Sequence, residues 1–271
     1  MTSDRPVVAE LAEVWTSLAG LGAELTSEDW DRPTECPGWS VRDVYSHVIG
    51  LEAGLLGRAP PPALDSVGDH VRNDVGRSNE AEVLARRGRS GPEVVAELQE
   101  VTSARLAALR AMTDEEMAAE TPTPAGTGTY EDFMAVRVFD CWVHEQDVRR
   151  AVGRPGHLSG AAVDRSLASA VGVMPYVVGK RARAPEGCTV AFDVTGATAR
   201  RWAVTVEGGR ARPVPEVPVD PTARISADIG TFMALACGRA DPDAELAAGR
   251  VSVHGDVEVG TAVVRHLGYT I

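Results

Sequence analysis

The chain has 271 residues and a mass of 28.6 kDa, more than one compact core usually takes, so two domains or one large one are expected. Its 27 Lys and Arg against 39 Asp and Glu give a net charge of −12, a balance that repels phosphate backbones and argues against nucleic acid as a partner. With 44% hydrophobic and 24% charged residues and a mean hydropathy of −0.09, the composition is that of a soluble globular protein and excludes a disordered chain.

From the start to about Gly179 the apolar residues recur mostly at three and four, as in Val8, Leu11, Val14, Trp15 and Leu18, the spacing of an amphipathic helix. This pattern predicts helices near 5–28, 40–57, 91–117, 129–152 and 160–179. Connections are expected at Asp31 to Pro33, Arg58 to Pro62 and Thr121 to Gly126, and four long helices would suffice for a bundle. Past Arg183 to Gly187 the pattern changes to short alternating runs. Thr189 to Val194 and Trp202 to Val206 read as strands, the second leading into a hairpin at Gly208-Gly209. Arg224 to Ala227 and Val251 to His254 supply further strands around a helical stretch from about Asp228 to Ala236. The expected organisation is therefore a helical domain over 1–182 and a small mixed α/β domain over 183–271. No apolar run approaches the ~18 residues of a membrane helix, and Met1 to Arg5 lacks the basic and apolar parts of a signal peptide, so the expected location is the cytoplasm. Cys36, Cys141, Cys188 and Cys237 lie far apart without a C-x-x-C pair, which suggests buried small hydrophobes, not a disulfide framework or cysteine zinc site.

Arg137 to Asp147 is the most informative stretch. Asp140 and His144 stand four apart in a helical pattern and share a face, so a carboxylate and an imidazole there can chelate one divalent ion. The same spacing also serves a solvated or core pair, and a site needs a third ligand from elsewhere. The candidate is His47, placed by Val44, Val48 and Leu51 at or beside a buried stripe; the competing reading is a core histidine bonded to a backbone carbonyl. Asp43 also precedes His47 by four, but Ser40-x-x-Asp43 is a helix-start arrangement, and Asp43 is assigned to capping.

These residues resemble a known family. Cys36-Pro37-Gly38-Trp39-Ser40-Val41-Arg42-Asp43-Val44 leading into His47, then Trp142-Val143-His144 with Asp147, look like the mycothiol-dependent maleylpyruvate isomerase family of DinB-like proteins. Gly249 to Asp256 is similar to the end of the sterol-carrier-like domain that follows the bundle in that family. The resemblance covers most of the chain. It implies an α+β protein, a DinB-like four-helix bundle followed by a small sterol-carrier-like α/β domain. It also implies one divalent ion, usually zinc, held here by His47, Asp140 and His144. The acid of the pair is commonly Glu in the family, and Asp140 is shorter by one methylene.

Two imidazoles and a carboxylate suit zinc and leave a tetrahedral position open, where a thiol would be deprotonated at neutral pH. In the family that thiol is mycothiol. Addition of a thiolate to an activated double bond, rotation and loss of the thiol give cis–trans isomerisation, whereas displacement or addition without departure gives a conjugate. The expected activity is therefore a metal-dependent mycothiol S-transferase or isomerase acting on a small electrophile, as a monomer or homodimer. Arg137 is a candidate to hold a substrate carboxylate, or else a structural ion pair. Asp147 is a candidate to orient the free nitrogen of His144, or else is a surface acid paired with Arg150 or Arg149. Trp39 and Trp142 are candidates to line the pocket mouth beside the thiol, or else packing. Glu145 points away from His144 on the helix, and His70, His157, His254 and His266 have no usable partner spacing. The absence of G-x-S-x-G, Walker and strand-linked G-x-G-x-x-G motifs disfavours familiar hydrolases and nucleotide enzymes. Two alternatives remain: a non-catalytic protein binding a metal or an apolar ligand, and a metal-dependent hydrolase on the same bundle.

Overall fold

The computed structural model describes residues 5–124 and 126–270; Met1 to Asp4, and Ala125 of the expected Thr121 to Gly126 connection, lie outside them. The chain divides into two compact units, residues 1–157 and 158–271.

The first unit contains α1 (Pro6–Ala23), a 3-10 turn (Asp29–Asp31), α2 (Val41–Leu55), α3 (Asp74–Arg86), α4 (Gly91–Ala111), α5 (Asp114–Met117), β1 (Glu120–Thr123), β2 (Gly126–Thr129) and α6 (Tyr130–Val152). The long helices α1, α2, α4 and α6 pack around one core: α1 and α2 each lie against both α4 and α6. Val7, Leu11, Val14 and Leu18 of α1 meet that core at the three-and-four spacing, all but excluded from solvent. Helix starts are written locally. Ser40, Ser90, Thr113 and Thr129 each form a capping box with the acid three residues on, as expected for Ser40 and Asp43. The box at Thr113 also divides the helix expected over 91–117, because Met112 is extended (φ −65°, ψ 139°) and a new turn starts after it. The Thr121 to Gly126 connection is part of a hairpin, with Glu120 opposite Thr129 and Thr123 opposite Gly126. Helix α3 was not expected. Apart from Ala81 and Val83, its buried residues are Glu80 and Arg86, and Arg86 pairs with Glu82 and Glu97, so it is held largely by ionic contacts.

The second unit begins with α7 (Ala161–Tyr176), which runs into a π turn (Val177–Arg181) just after Pro175. This helix was expected with the N-terminal domain, but it packs against strands and a helix of the second unit. There follow β3 (Thr189–Thr195), β4 (Arg200–Glu207), β5 (Arg210–Pro213), β6 (Ala223–Asp228), α8 (Ile229–Ala236), α9 (Pro242–Ala247), β7 (Val251–Gly255) and α10 (Val257–Arg265). The sheet order is β5-β4-β3-β6-β7; β3 and β6 are parallel and the other pairs antiparallel. Gly208 and Gly209, both left-handed (φ 59° and 71°), make the two-residue turn between β4 and β5. Phe192, Trp202 and Phe232 form an aromatic cluster in this core, the first two stacked at 5.1 Å. The short helices α9 and α10 were not expected. No helix among the described residues is long and apolar enough to cross a membrane.

Candidate metal centre

The segment before α2 is folded by its own chemistry. Trp39 N donates to Cys36 O at 3.0 Å across Pro37-Gly38, and Gly38 has φ +80°, the Pro-Gly pattern of a type II turn. A Cβ on Gly38 would also stand 2.9 Å from the His70 ring. This turn sets Cys36 and Trp39 beside the N-terminal half of α2, where His47 is buried. Helix α6 brings Asp140 and His144 to the same place, one turn apart on one face.

The three expected donors meet there. His47 Nε2 is 3.4 Å from Asp140 Oδ2, and His144 Nε2 is 3.7 Å from Asp140 Oδ1. The two rings approach edge to face at 4.7 Å, and the donor atoms of all three lie within 4.8 Å of one another. Ligands ~2.1 Å from one tetrahedral ion are spaced about 3.4 Å apart, so the set matches a single small cation. A second observation favours one. Both ring nitrogens of His47 are buried and neither makes a hydrogen bond, an arrangement that costs free energy unless something else satisfies the ring. The Asp140 side chain is 31% exposed, which leaves the cluster open on its side.

The electrostatics agree. Burial lowers the pKa of His47, against the pull of Asp140, which keeps the ring neutral and able to ligate. Burial works against ionisation of Asp140, but Arg137, then His144 and His47, hold its carboxyl well below the usual range. Burial would also lower His144, yet Asp140 and Asp147 outweigh it and raise the imidazole to about 10. Without a cation His144 is therefore protonated, its charge held between two carboxylates where a metal would supply one.

Further groups fix these donors. Arg137, expected to hold a substrate carboxylate, is committed inside the protein: Nε donates to Glu52 Oε1 at 2.9 Å and Nη1 to Asp140 Oδ2 at 2.6 Å. Glu52, fully buried, also accepts from Arg105 Nε at 3.0 Å. The chain Arg105, Glu52, Arg137, Asp140 thus joins α4, α2 and α6, with Arg137 in ion pairs to both Glu52 and Asp140. Asp147, fully buried, lies 3.0 Å through Oδ2 from His144 Nδ1 while Oδ1 accepts from Arg150 at 2.5 Å. Asp147 thus contacts His144 and Arg150 at once, and it does so from inside the core, not as a surface acid. Trp39 lies against both imidazoles, with centroids 5.1 Å from His47 and 6.2 Å from His144, and its Nε1 donates to Glu80 at 2.9 Å. Trp142 is a correction: two positions past Asp140, it turns to another side of α6, and its Nε1 donates to His157 O at 2.9 Å. It packs in the core instead of lining this cluster.

Several groups escaped the sequence reading. Cys36, taken as a small hydrophobe, has Sγ 3.1 Å from Asp147 Oδ2 and 3.9 Å from His144 Nδ1. His70 Nε2 lies 3.2 Å from Glu80 Oε2. His157 stands between Glu145 at 2.6 Å and Glu13 at 3.1 Å. These partners are 10 to 144 residues away in sequence, beyond the reach of local spacing. The Cys36 to Trp39 turn was the one available signal, since a Pro-Gly turn just before a capped helix fixes where its flanking side chains go.

Comparison with known proteins agrees with this architecture. The sequence profile described as the mycothiol maleylpyruvate isomerase N-terminal domain matches residues 11–149, and that of the SCP-2 sterol transfer family matches residues 178–267. The crystal structure of a histidine-to-alanine mutant of the mycothiol-dependent maleylpyruvate isomerase is 13% identical, covers 93% of each chain and has a TM-score of 0.55. The unmutated protein is 14% identical over the same shares, with a TM-score of 0.52; at this identity the likeness is one of fold. Sterol Carrier Protein 2 Like 2 from Aedes aegypti, 13% identical, covers 38% of this chain and 96% of its own, with a TM-score of 0.31. Among curated proteins none matches the chain. The first profile spans half of the sequence, and the chain belongs to the mycothiol maleylpyruvate isomerase family.

Proposed function

We propose that the protein is a divalent-metal enzyme, zinc by the chemistry of its donors, that uses mycothiol as thiolate nucleophile or cofactor, either transferring it to a small electrophile or isomerising one in the manner of a maleylpyruvate isomerase. Its place of work is the cytoplasm. The observation that carries this reading is the meeting of His47, Asp140 and His144, with both nitrogens of a buried imidazole lacking any hydrogen bond. His47 and His144 would hold the ion through Nε2 and Asp140 through its carboxylate. When bound, the cation supplies a Lewis-acidic position at which a thiol ionises near neutral pH. The remaining residues prepare that position. Asp147 would accept a hydrogen bond from His144 Nδ1–H and so keep the free electron pair of the neutral ring on Nε2. Arg137 fixes the Asp140 carboxylate by one oxygen and is itself held by Glu52. Trp39 covers the two imidazoles and keeps water from that side of them.

Elemental analysis of the purified protein tests the reading. About one zinc per chain is expected, lost in both His47→Ala and His144→Ala, with turnover of an electrophile that requires added mycothiol. Turnover by metal-free protein would overturn it, and turnover without any thiol would favour a hydrolase.

A further inference from the structure

His144 has a second nitrogen, and it too faces donor atoms. On the side of the ring away from His47 and Asp140, Nδ1 is 3.0 Å from Asp147 Oδ2 and 3.9 Å from Cys36 Sγ, and Cys36 Sγ is 3.1 Å from the same Asp147 oxygen. All three side chains are buried. A tetrahedral ion bonded ~2.3 Å to sulfur and ~2.1 Å to nitrogen and oxygen spaces such donors about 3.4–3.6 Å apart, and the three observed separations bracket that range. We propose that Cys36, Asp147 and His144 Nδ1 form a second cation site, selective for a soft, thiophilic divalent ion, set back to back with the first across one imidazole.

The donors differ in kind from the first set. Thiolate favours soft cations, while a set of two imidazoles and a carboxylate is borderline. Uptake of the ion expels the Cys36 thiol proton and the His144 Nδ1 proton, the two hydrogens now directed at Asp147 Oδ2. The other oxygen, Oδ1, stays on Arg150, so the carboxylate keeps a fixed orientation while Oδ2 ligates. The Cys36 backbone is held as well: its N–H donates to Thr34 Oγ1 at 3.2 Å and its carbonyl closes the Pro-Gly turn. The cover is thin, because the adjacent Arg150 and Glu35 pair at 3.2 Å with side chains 31% and 34% exposed. A neutral imidazole has one free nitrogen, so near neutral pH the two sets compete for His144. A thiophilic ion on Nδ1 therefore takes His144 from the first set. The inference stands on its own donors and holds whichever reaction the first set serves.

Cadmium titration of the full-length, metal-free protein, followed by ultraviolet absorption, tests this. The wild type is expected to show a thiolate-to-cadmium charge-transfer band. Cys36→Ser should lose the band while still binding cadmium through His47, Asp140 and His144. His47→Ala should keep the band, with cadmium affinity falling at least about tenfold when Cys36→Ser is added. A band that survives Cys36→Ser, or cadmium bound to the wild type without any band, overturns the proposal. The wild type and Cys36→Ser decide it even if His47→Ala does not fold. Failure of the functional reading has a different signature: a normal cadmium band in a protein without thiol-dependent turnover.

Discussion

Between α1 and α6 the interior holds Glu52, Arg105, Arg137, His47, His144, Glu145 and Asp147, each almost out of solvent, whereas after residue 157 the buried polar side chains among the described residues are Ser166 and Thr198. The sheet unit fills its centre with Phe192, Trp202, Phe232, Ile225 and small aliphatics. Ion pairs are a poor way to gain stability, since desolvation cancels most of the attraction, and an apolar core does better per residue. The helical unit thus gives up stability to hold charges in fixed places, and of these Arg137 and Asp147 contact the His47, Asp140 and His144 cluster directly.

The sharpest contrast comes from one deletion in each unit. Glu52→Ala leaves two buried guanidinium groups without their shared carboxylate and should cost about 3–5 kcal/mol, read from urea unfolding followed by circular dichroism. Phe192→Ala should cost a similar ~3–5 kcal/mol, in its case by opening a cavity in an apolar core. A Glu52→Ala protein as stable as the wild type would show that the ionic chain is not structural.

Asp147→Asn should lower zinc affinity about 10–100-fold, measured by competition with a chelating dye, because His144 Nδ1 loses its carboxylate partner. Unchanged affinity would remove Asp147 from the site.

Proton linkage separates the units further. The His144 imidazole stands at about 10 in the folded protein against an ordinary 6.5, so between those values the folded state binds more protons than the unfolded. The stability it contributes is complete below about 6.5 and is lost as the pH rises through about 10. The metal-free protein should therefore melt at progressively lower temperature across that window, and zinc should bind more tightly as the competing proton leaves. A flat melting profile would show that His144 is neutral throughout.

The smallest effect is expected at the turn. Gly38→Ala places a Cβ at φ +80° and 2.9 Å from His70, and should cost about 1–2 kcal/mol, detected as a shift in the urea midpoint. Because Trp39 follows directly, its fluorescence should change as well.

The sequence was readable wherever the signal was local. Periodicity located α1, α2 and α6, the Ser40 and Asp43 pair marked a helix start, and Gly208-Gly209 marked the hairpin. The fold class and the family followed from motifs that recur in order along the chain. Helix α3 was missed because only Ala81 and Val83 of its buried residues are apolar and the rest are charged, which periodicity does not register. The apolar stripe of α7 says that it packs, without saying on what, and the helix lies with the second unit. At the cluster, the i to i+4 pair on α6 could be read directly, and His47 needed the family resemblance beside it. The pairing of Glu52 with Arg105 and of Cys36 with Asp147 could not be read locally, since these partners lie 53 and 111 residues apart.

The capping box at Thr129 has a consequence for rotational phase. It fixes where α6 begins, and Asp140 and His144 stand about three and four turns from that start, so the direction in which they point is set there. One residue inserted between Thr129 and Asp140 would leave a sound helix but rotate both side chains by about 100°, away from His47. One residue inserted after Val152 would leave their azimuth as it is. The pairing of donors across α2 and α6 is thus maintained by counting residues from a threonine, and tolerance to insertion should change abruptly along this helix.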